Sequence, residues 1–243
     1  MRECGAHCAH VRWVTSADAE VVGFTDVRID PASKQRIPRW WSETLEEAVA
    51  PIDFVFGYGS LIGESPRDVR RDGSPRGFIV DLDGYRRTWG VAMDNSRDIA
   101  GYKYFVDAET GQRPPCFVAF LDIARVDGGR VNGVCSPVSS ATLEKLDARE
   151  SNYRRIDVTE GVRGQLPAIA ARVWVYEGSD GGRDRRTAGD RLGRTVVQRD
   201  YLAGVWRAFE ALGDTEIKAF CASTMVPDCP IANLARRVLP GTQ

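Results

Sequence analysis

Apolar positions fall in short clusters through the middle of the chain and in a helical stripe toward its end. Phe54-Val55-Phe56 is a compact run of aromatic and β-branched residues, which predicts a buried strand. Gly57 and Gly59 follow at once and predict a sharp bend. Phe78-Ile79-Val80 and Tyr85 to Met93 predict two strands around an Asp83-Gly84 turn. Tyr102 to Val106, Phe117 to Leu121 and Val131 to Val138 predict further strands. Ser139-Ser140 is positioned to cap a helix running to Arg149. Ile156 to Val158 and Ala170 to Tyr176 return to strand. The glycine- and charge-rich stretch 179–186 predicts a loop. Val197, Tyr201, Val205 and Phe209, with Leu202 and Leu212, recur at helical spacing and predict a core-facing helix. Gly213 ends it and Asp214 caps the next. The last quarter therefore reads as helical, with a turn between Pro227 and Pro230 and a final amphipathic segment through Leu239.

Residues 1–50 read as an extension and 51–243 as the main domain. Asp30-Pro31 and Ile37-Pro38 punctuate the extension. Trp40 and Trp41 are apolar anchors that predict docking on the main domain, and Ser42 to Val49 predicts a short helix ended by Pro51. Ser65-Pro66 predicts another short helix or turn. Many short strands, with helices interspersed and then gathered at the end, define an α+β class.

Composition narrows the function. In 243 residues, 33 Lys+Arg against 34 Asp+Glu leave a net charge of −1. That balance gives no electrostatic reason for nucleic acid or an anionic membrane as partner. Arg67, Arg70 and Arg71, and Arg183, Arg185 and Arg186, are interleaved with Asp and read as solvated loop charge. No stretch approaches the roughly 20 apolar residues that span a bilayer. The first ten residues do not form a basic-then-apolar leader, so the expectation is a cytoplasmic protein. The six cysteines are widely spaced and read as reduced thiols.

The two histidines, His7 and His10, both lie near the N-terminus. Triads that need histidine would have to borrow one from that segment, and so would multi-histidine metal sites. Cys4, His7, Cys8 and His10 are of zinc-ligand type, but their close spacing lacks the intervening loop of a structural site, and the segment reads as a tail.

Two segments carry candidate chemistry. Gly57-Tyr58-Gly59-Ser60 leaves a buried strand with two glycines, a composition that lets successive N–H groups face one concavity and bind a carboxylate or oxyanion. The alternative is a plain tight turn. Ile62 stands where a dinucleotide fingerprint needs its third glycine, and no Gly-Lys-[Ser/Thr] ending makes a P-loop. Ser60 lacks a nucleophile-elbow context. In the second segment, Leu143 and Leu146 form a helical stripe whose next position is Glu150. A carboxylate buried there, near a helix C-terminus, is expected to have a raised pKa and to exchange protons near neutrality. The alternative is an ordinary charged helix end, with Glu150 paired to Arg154 or Arg155. Tyr153 follows, either a phenol in the same site or a core aromatic.

Taken together, Phe56-Gly57-Tyr58-Gly59-Ser60-Leu61 and Leu146-Asp147-Ala148-Arg149-Glu150 resemble the gamma-glutamylcyclotransferase family. Gly84-Tyr85-Arg86-Arg87-Thr88-Trp89 and Gly133-Val134 resemble its intervening segments. The resemblance spans roughly Asp53 to Tyr176. It implies a small mixed β-barrel with flanking helices, with neither metal nor organic cofactor. It implies a small-molecule γ-glutamyl substrate, whose carboxylate and reacting carbonyl meet Tyr58, Gly59, Ser60 and Leu61. Glu150 would be the general acid/base and Tyr153 a substrate-contacting phenol. Ser151-Asn152 departs from the glycine that many relatives carry after the acid. The terminal extensions also exceed the minimal domain. They leave two alternatives: a binding module without turnover, or removal of a γ-glutamyl protecting group from a biosynthetic metabolite.

Overall fold

A computed structural model describes residues 51–63, 77–168 and 170–241. Strand β1 (Ile52–Gly57) leads into a one-turn helix α1 (Ser60–Gly63). Then come β2 (Phe78–Asp94), β3 (Lys103–Asp107), β4 (Phe117–Val138), α2 (Ser140–Arg149) and β5 (Tyr153–Asp157). A 3-10 turn at Thr159–Gly161 precedes β6 (Val162–Arg163) and β7 (Ala170–Gly178). The chain continues with α3 (Asp180–Arg191), β8 (Thr195–Gln198), α4 (Arg199–Glu210) and α5 (Asp214–Ser223). It closes with β9 (Ile231–Ala232) and β10 (Leu234–Val238).

The class is α+β, built on a curled half-barrel sheet ordered β5-β7-β1-β4-β2-β6, with β8 on β4 and β9 on β8. β4 is the hub. Its first residues pair with β8, its last with β1, and its length with β2. Each of these two long strands was expected as two short ones. Gly84 does not turn the chain back. At φ 82 it forms an irregularity that lets β2 continue, and the register steps from Asp83↔Arg130 to Tyr85↔Arg125.

β1 is buried on both faces because period-2 alternation sends its side chains into two clusters. Phe54 and Phe56 join Leu82, Leu121, Ile123, Val205, Phe209 and Phe220 in the main core. Val55 packs instead with Leu143 and Tyr176, under α2. α2 begins as expected, with the Ser139 hydroxyl accepting the Thr142 N–H at 3.2 Å.

Three elements depart from the sequence expectation. The stretch expected as a loop at 179–186 opens α3, whose N-cap Ser179 accepts the Gly182 N–H at 3.1 Å. Its glycines serve close packing: a Cβ at Gly182 would stand 2.5 Å from the Asn152 carbonyl oxygen. Nor are its arginines solvated loop charge. Arg183 pairs with Asp122, Arg185 donates to the Ala92 carbonyl and Asn152, and Arg186 is buried between Asp190 and Asp228. Val197 lies in β8, so the helical stripe starts only after Gln198. The final segment is strand, because β10 finds an antiparallel partner in β3. The expectations for residues 1–50, Ser65-Pro66 and Arg67, Arg70 and Arg71 lie outside the described residues.

Because an interior glycine normally weakens a helix, Gly→Ala within α3 should be favourable unless space forbids it. Gly181→Ala, whose Cβ would meet just the end of the Arg185 side chain at 3.4 Å, should raise stability by up to about 1 kcal/mol. Gly182→Ala should lower it by about 1–3 kcal/mol, since the Asn152 backbone has to shift. Urea midpoints moving in opposite directions would verify the packing of α3 on the sheet.

Candidate functional site

The loop after β1 starts from a constrained backbone. A Cβ at Gly57 would stand 3.2 Å from both the Ile62 nitrogen and Leu61 Cβ. A Cβ at Gly133, on β4 beside it, would run into the Gly57 carbonyl oxygen and approach Phe56 Cζ to 2.6 Å. Neither Gly57 nor Gly59 has a positive φ, so close approach and not left-handed backbone explains Gly57. Gly59 has ordinary contacts, with Leu121 Cδ1 at 3.5 Å and the Tyr201 hydroxyl at 3.6 Å from an added Cβ. The Gly59 carbonyl accepts the Ile62 N–H at 3.1 Å, which closes the turn of α1. The N–H groups opening a helix have no partner within it, which makes this turn a donor surface.

One buried cation orients that surface. The Arg87 side chain, fully buried on β2, donates from Nε to the Tyr58 carbonyl at 2.8 Å. It also donates to Ser223 Oγ at 2.6 Å, to Asn132 Oδ1 at 3.1 Å and to the Asn132 carbonyl. Its guanidinium lies 4.9 and 5.1 Å from the ring centres of Phe209 and Phe220, which stack on each other at 4.4 Å. Burial pulls its pKa down to about 9, still above neutrality, so the group is charged at pH 7. The Tyr58–Gly59 peptide is trans and planar, and its C=O and N–H point in opposite directions. By holding the Tyr58 carbonyl, Arg87 turns the Gly59 N–H away from itself.

The Tyr58 ring is buried, and its hydroxyl donates to the Tyr176 carbonyl at 2.7 Å. Its phenol is thus committed to the core, and the residue offers a ligand its backbone. Tyr153, half-buried at the start of β5, donates its hydroxyl to the Leu121 carbonyl at 2.7 Å, leaving lone pairs to accept a proton donor. Ser60 is half-buried at the start of α1, and Leu61 packs with Leu146 and Tyr153 around Val55, Leu143 and Tyr176.

Glu150 caps the C-terminus of α2 and is not a further step of the helical stripe. Its N–H donates to the Leu146 carbonyl at 2.8 Å, and its own carbonyl accepts the Tyr153 N–H at 2.8 Å. That turn places acid and phenol together. The carboxylate accepts from Arg149 at 2.7 Å, while Arg154 pairs with Glu177 and Arg155 with Asp147. The expected alternative of a Glu150 pair with Arg154 or Arg155 is therefore not what forms.

Burial, then the negative charges of Asp122 and Glu150 among other neighbours, push the Tyr58 phenol well above its ordinary value. The Tyr153 phenol is raised likewise, by burial first and then by Tyr201, Tyr58, Glu150 and Asp122. Both phenols stay neutral in the working pH range and act through hydrogen bonds. Two carboxylates therefore face this cluster, and they differ in access. The Asp122 side chain is 1% exposed, and it accepts from the Ile123 N–H at 2.7 Å, the Gly178 N–H at 2.6 Å and Arg183 at 3.0 Å. A Cβ at Gly90 would reach 2.7 Å from Asp122 Oδ2, so a missing side chain leaves it room. Glu150 is 17% exposed and touches one arginine that is itself 47% exposed. Leu61 of the turn and Tyr153 thus share one cluster, Tyr153 is bonded to the Glu150 backbone, and Glu150 is the more exposed of the two carboxylates.

Three contributors escaped the sequence reading. Tyr201 was counted as apolar stripe, yet its hydroxyl accepts the Leu121 N–H at 3.3 Å beside Gly59. Its polar tip on an apolar stripe was the available signal. Asp122 had no local signal, and Arg87 entered only within the Gly84–Trp89 resemblance with no role of its own, because each acts across strands.

A mixed α+β scaffold on a curled half-barrel sheet is the class that this architecture defines. No family model matches the chain, and no curated protein sequence does. Several solved structures resemble it in outline. A gamma-glutamyl cyclotransferase is 14% identical at a TM-score of 0.39, over 74% of this chain and 94% of the other. YkqA from Bacillus subtilis is 15% identical at a TM-score of 0.43, over 74% of this chain but 56% of its own length. An uncharacterized protein from Homo sapiens is 16% identical at a TM-score of 0.38, over 72% and 89% of the two chains. Among the described residues, no helix is long and apolar enough to cross a membrane.

Proposed function

We propose that the protein is a gamma-glutamyl cyclotransferase that releases 5-oxoproline and a free amine or amino acid, with Glu150 as general acid/base. The observation that carries this reading is the shared surroundings of the acid and the turn. Tyr153, bonded through its N–H to the Glu150 carbonyl, packs in the same cluster as Leu61 of the Tyr58–Leu61 turn, and the competing acid, Asp122, is enclosed.

The chemistry follows from that arrangement. Glu150 takes a proton from the substrate α-ammonium, and the Tyr153 hydroxyl oxygen, whose proton goes to Leu121, is the acceptor assigned to one of the remaining N–H groups. The freed amine attacks the γ-carbonyl of the same molecule, forming the ring C–N bond. Charge develops on the carbonyl oxygen, where the N–H groups of Gly59, Ser60 and Leu61 stabilise it. Glu150 then protonates the departing nitrogen as the old C–N bond breaks and the carbonyl re-forms, and the regenerated carboxylate takes the surplus proton from the ring nitrogen, leaving the lactam N–H, and gives it up with the released amine. Nucleophile and electrophile belong to one molecule, so the protein's main task is to hold a cyclisable conformation. No covalent intermediate is required.

Incubating the purified chain with γ-glutamyl dipeptides and γ-glutamyl amines should release 5-oxoproline in stoichiometric amounts with the free amine, read by chromatography. An inert chain across the panel would leave the binding-module reading in its place.

A further inference from the structure

The turn that carries Glu150 is weakly specified by its own residues. Glu150, at φ −84 and ψ 47, has already left the helical region. Ser151 follows it, where a helix end commonly has glycine, so local backbone preference does little to fix the path. Ser151 is exposed, yet the next residue, Asn152, is buried at 5% exposure. Tertiary contacts to Asn152 therefore hold the turn.

Those contacts come from α3. The Asn152 carbonyl accepts the Ser179 N–H and the Ser179 hydroxyl, each at 2.9 Å. The same hydroxyl accepts the Gly182 N–H, so one group joins the cap of α3 to the turn. The Asn152 side chain is fixed separately. Its Oδ1 accepts from Arg185 Nη2 at 2.7 Å, and Arg185 Nε donates to the Ala92 carbonyl of β2 at 2.9 Å. The rigid fork of a guanidinium sets both bonds at once, so Arg185 ties the turn to the sheet. From Asn152 the restraint reaches Glu150 across two peptide units, and the 2.8 Å bond from the Tyr153 N–H to the Glu150 carbonyl closes the turn. Without Arg185, the buried Asn152 oxygen loses its donor and has to find another, which moves the turn. Displacing a reacting group by about 1 Å is enough to cost on the order of 100-fold in rate.

We infer that Arg185 is a positioning residue: by bonding Asn152 to β2 it fixes the turn that presents Glu150. This assignment rests on the cyclotransferase reading above and gives Arg185 no contact with substrate.

Arg185→Met keeps much of the side-chain volume and removes both donors. Its kcat for 5-oxoproline release should fall by about 10- to 100-fold with KM changed less than about twofold, because the Tyr58–Leu61 turn is untouched. Amide hydrogen exchange, read by NMR, should quicken at Tyr153, whose N–H bonds the Glu150 carbonyl, while the amides of the β2–β4 pair keep their rates. Arg185→Lys should recover part of kcat, since an ammonium returns a donor to Asn152 without the fork that also holds Ala92. An unchanged kcat or an unchanged Tyr153 exchange rate in Arg185→Met overturns the inference. So does a rise in KM at constant kcat, or a loss of protection shared equally by Tyr153 and the β2–β4 amides, which would leave Arg185 a support of the fold. The intact chain decides the underlying reading by itself: no 5-oxoproline from any γ-glutamyl conjugate overturns the cyclotransferase reading and this inference together.

Discussion

Glu150→Gln should lower 5-oxoproline release by at least about 100-fold, and by up to about 10,000-fold, the range that a positioned proton carrier supplies. The substitution keeps size and hydrogen-bonding shape, and removes the ability to take and return a proton. Stability should barely change. The Arg149 contact is between neighbours, with Arg149 well exposed, and exposed pairs are worth about 0–1 kcal/mol. The amide oxygen of the substituted glutamine would still accept from Arg149, and the backbone bonds from Glu150 to Leu146 and from Tyr153 to Glu150 do not involve the side chain. Steady-state release of 5-oxoproline, with a urea unfolding curve alongside, separates loss of chemistry from loss of fold. Undiminished release would move proton transfer to another group. Asp122 is the other carboxylate raising both phenols, but its three accepted hydrogen bonds and its enclosure leave no path to a ligand.

Arg87→Met should be the most damaging single change to the fold. The guanidinium serves the Tyr58 carbonyl, Asn132 and Ser223 together, in the angle between Phe209 and Phe220. Methionine fills much of the volume but supplies no donor. Buried acceptors left unpaired cost about 1–3 kcal/mol each, so a loss of about 3–5 kcal/mol is expected where some are re-satisfied by water. Arg87→Lys should recover little, because one ammonium cannot reach acceptors on three elements in the fixed fork of a guanidinium.

The effect on turnover distinguishes positioning from mere support. Arg87 holds the Tyr58 carbonyl and so aims the Gly59 N–H. At a temperature where the variant remains folded, kcat should fall by more than KM rises, because the lost N–H acts on charge that develops in the transition state. A variant with kcat intact and reduced stability alone would make Arg87 a structural residue and no more. The same geometry gives the C-terminal helices a role in the site. α4 contributes Tyr201 and Phe209, and α5 contributes Phe220 and Ser223, so they buttress the turn from behind.

The elements read correctly from sequence are those specified by neighbours in the chain. β1 announces itself by Phe54-Val55-Phe56, and α2 by its Ser139 cap and Leu143-Leu146 stripe. The elements misread are those specified from afar. Glycines and charges at 179–186 read as loop because their use is to fit Gly182 against Asn152 and Arg186 against Asp190 and Asp228, and two of those contacts are nonlocal. The terminal strand β10 pairs with β3, more than a hundred residues earlier, so no local period could announce it.

The site divides in the same way. The sequence by itself determined the chemical types: a glycine turn at the end of a buried strand, an acid at the end of an apolar helical face, a phenol three residues on, and no histidine among residues 51–243. Local sterics and side-chain chemistry act over a few residues, and a few residues suffice to read them. Only the tertiary structure decided which groups meet. It packed Tyr153, beside Glu150, into one cluster with Leu61 of the turn, enclosed Asp122, and brought Arg87 behind the Tyr58 carbonyl. Those choices follow from strand register and helix packing, which depend on the whole folded chain burying its apolar surface at once.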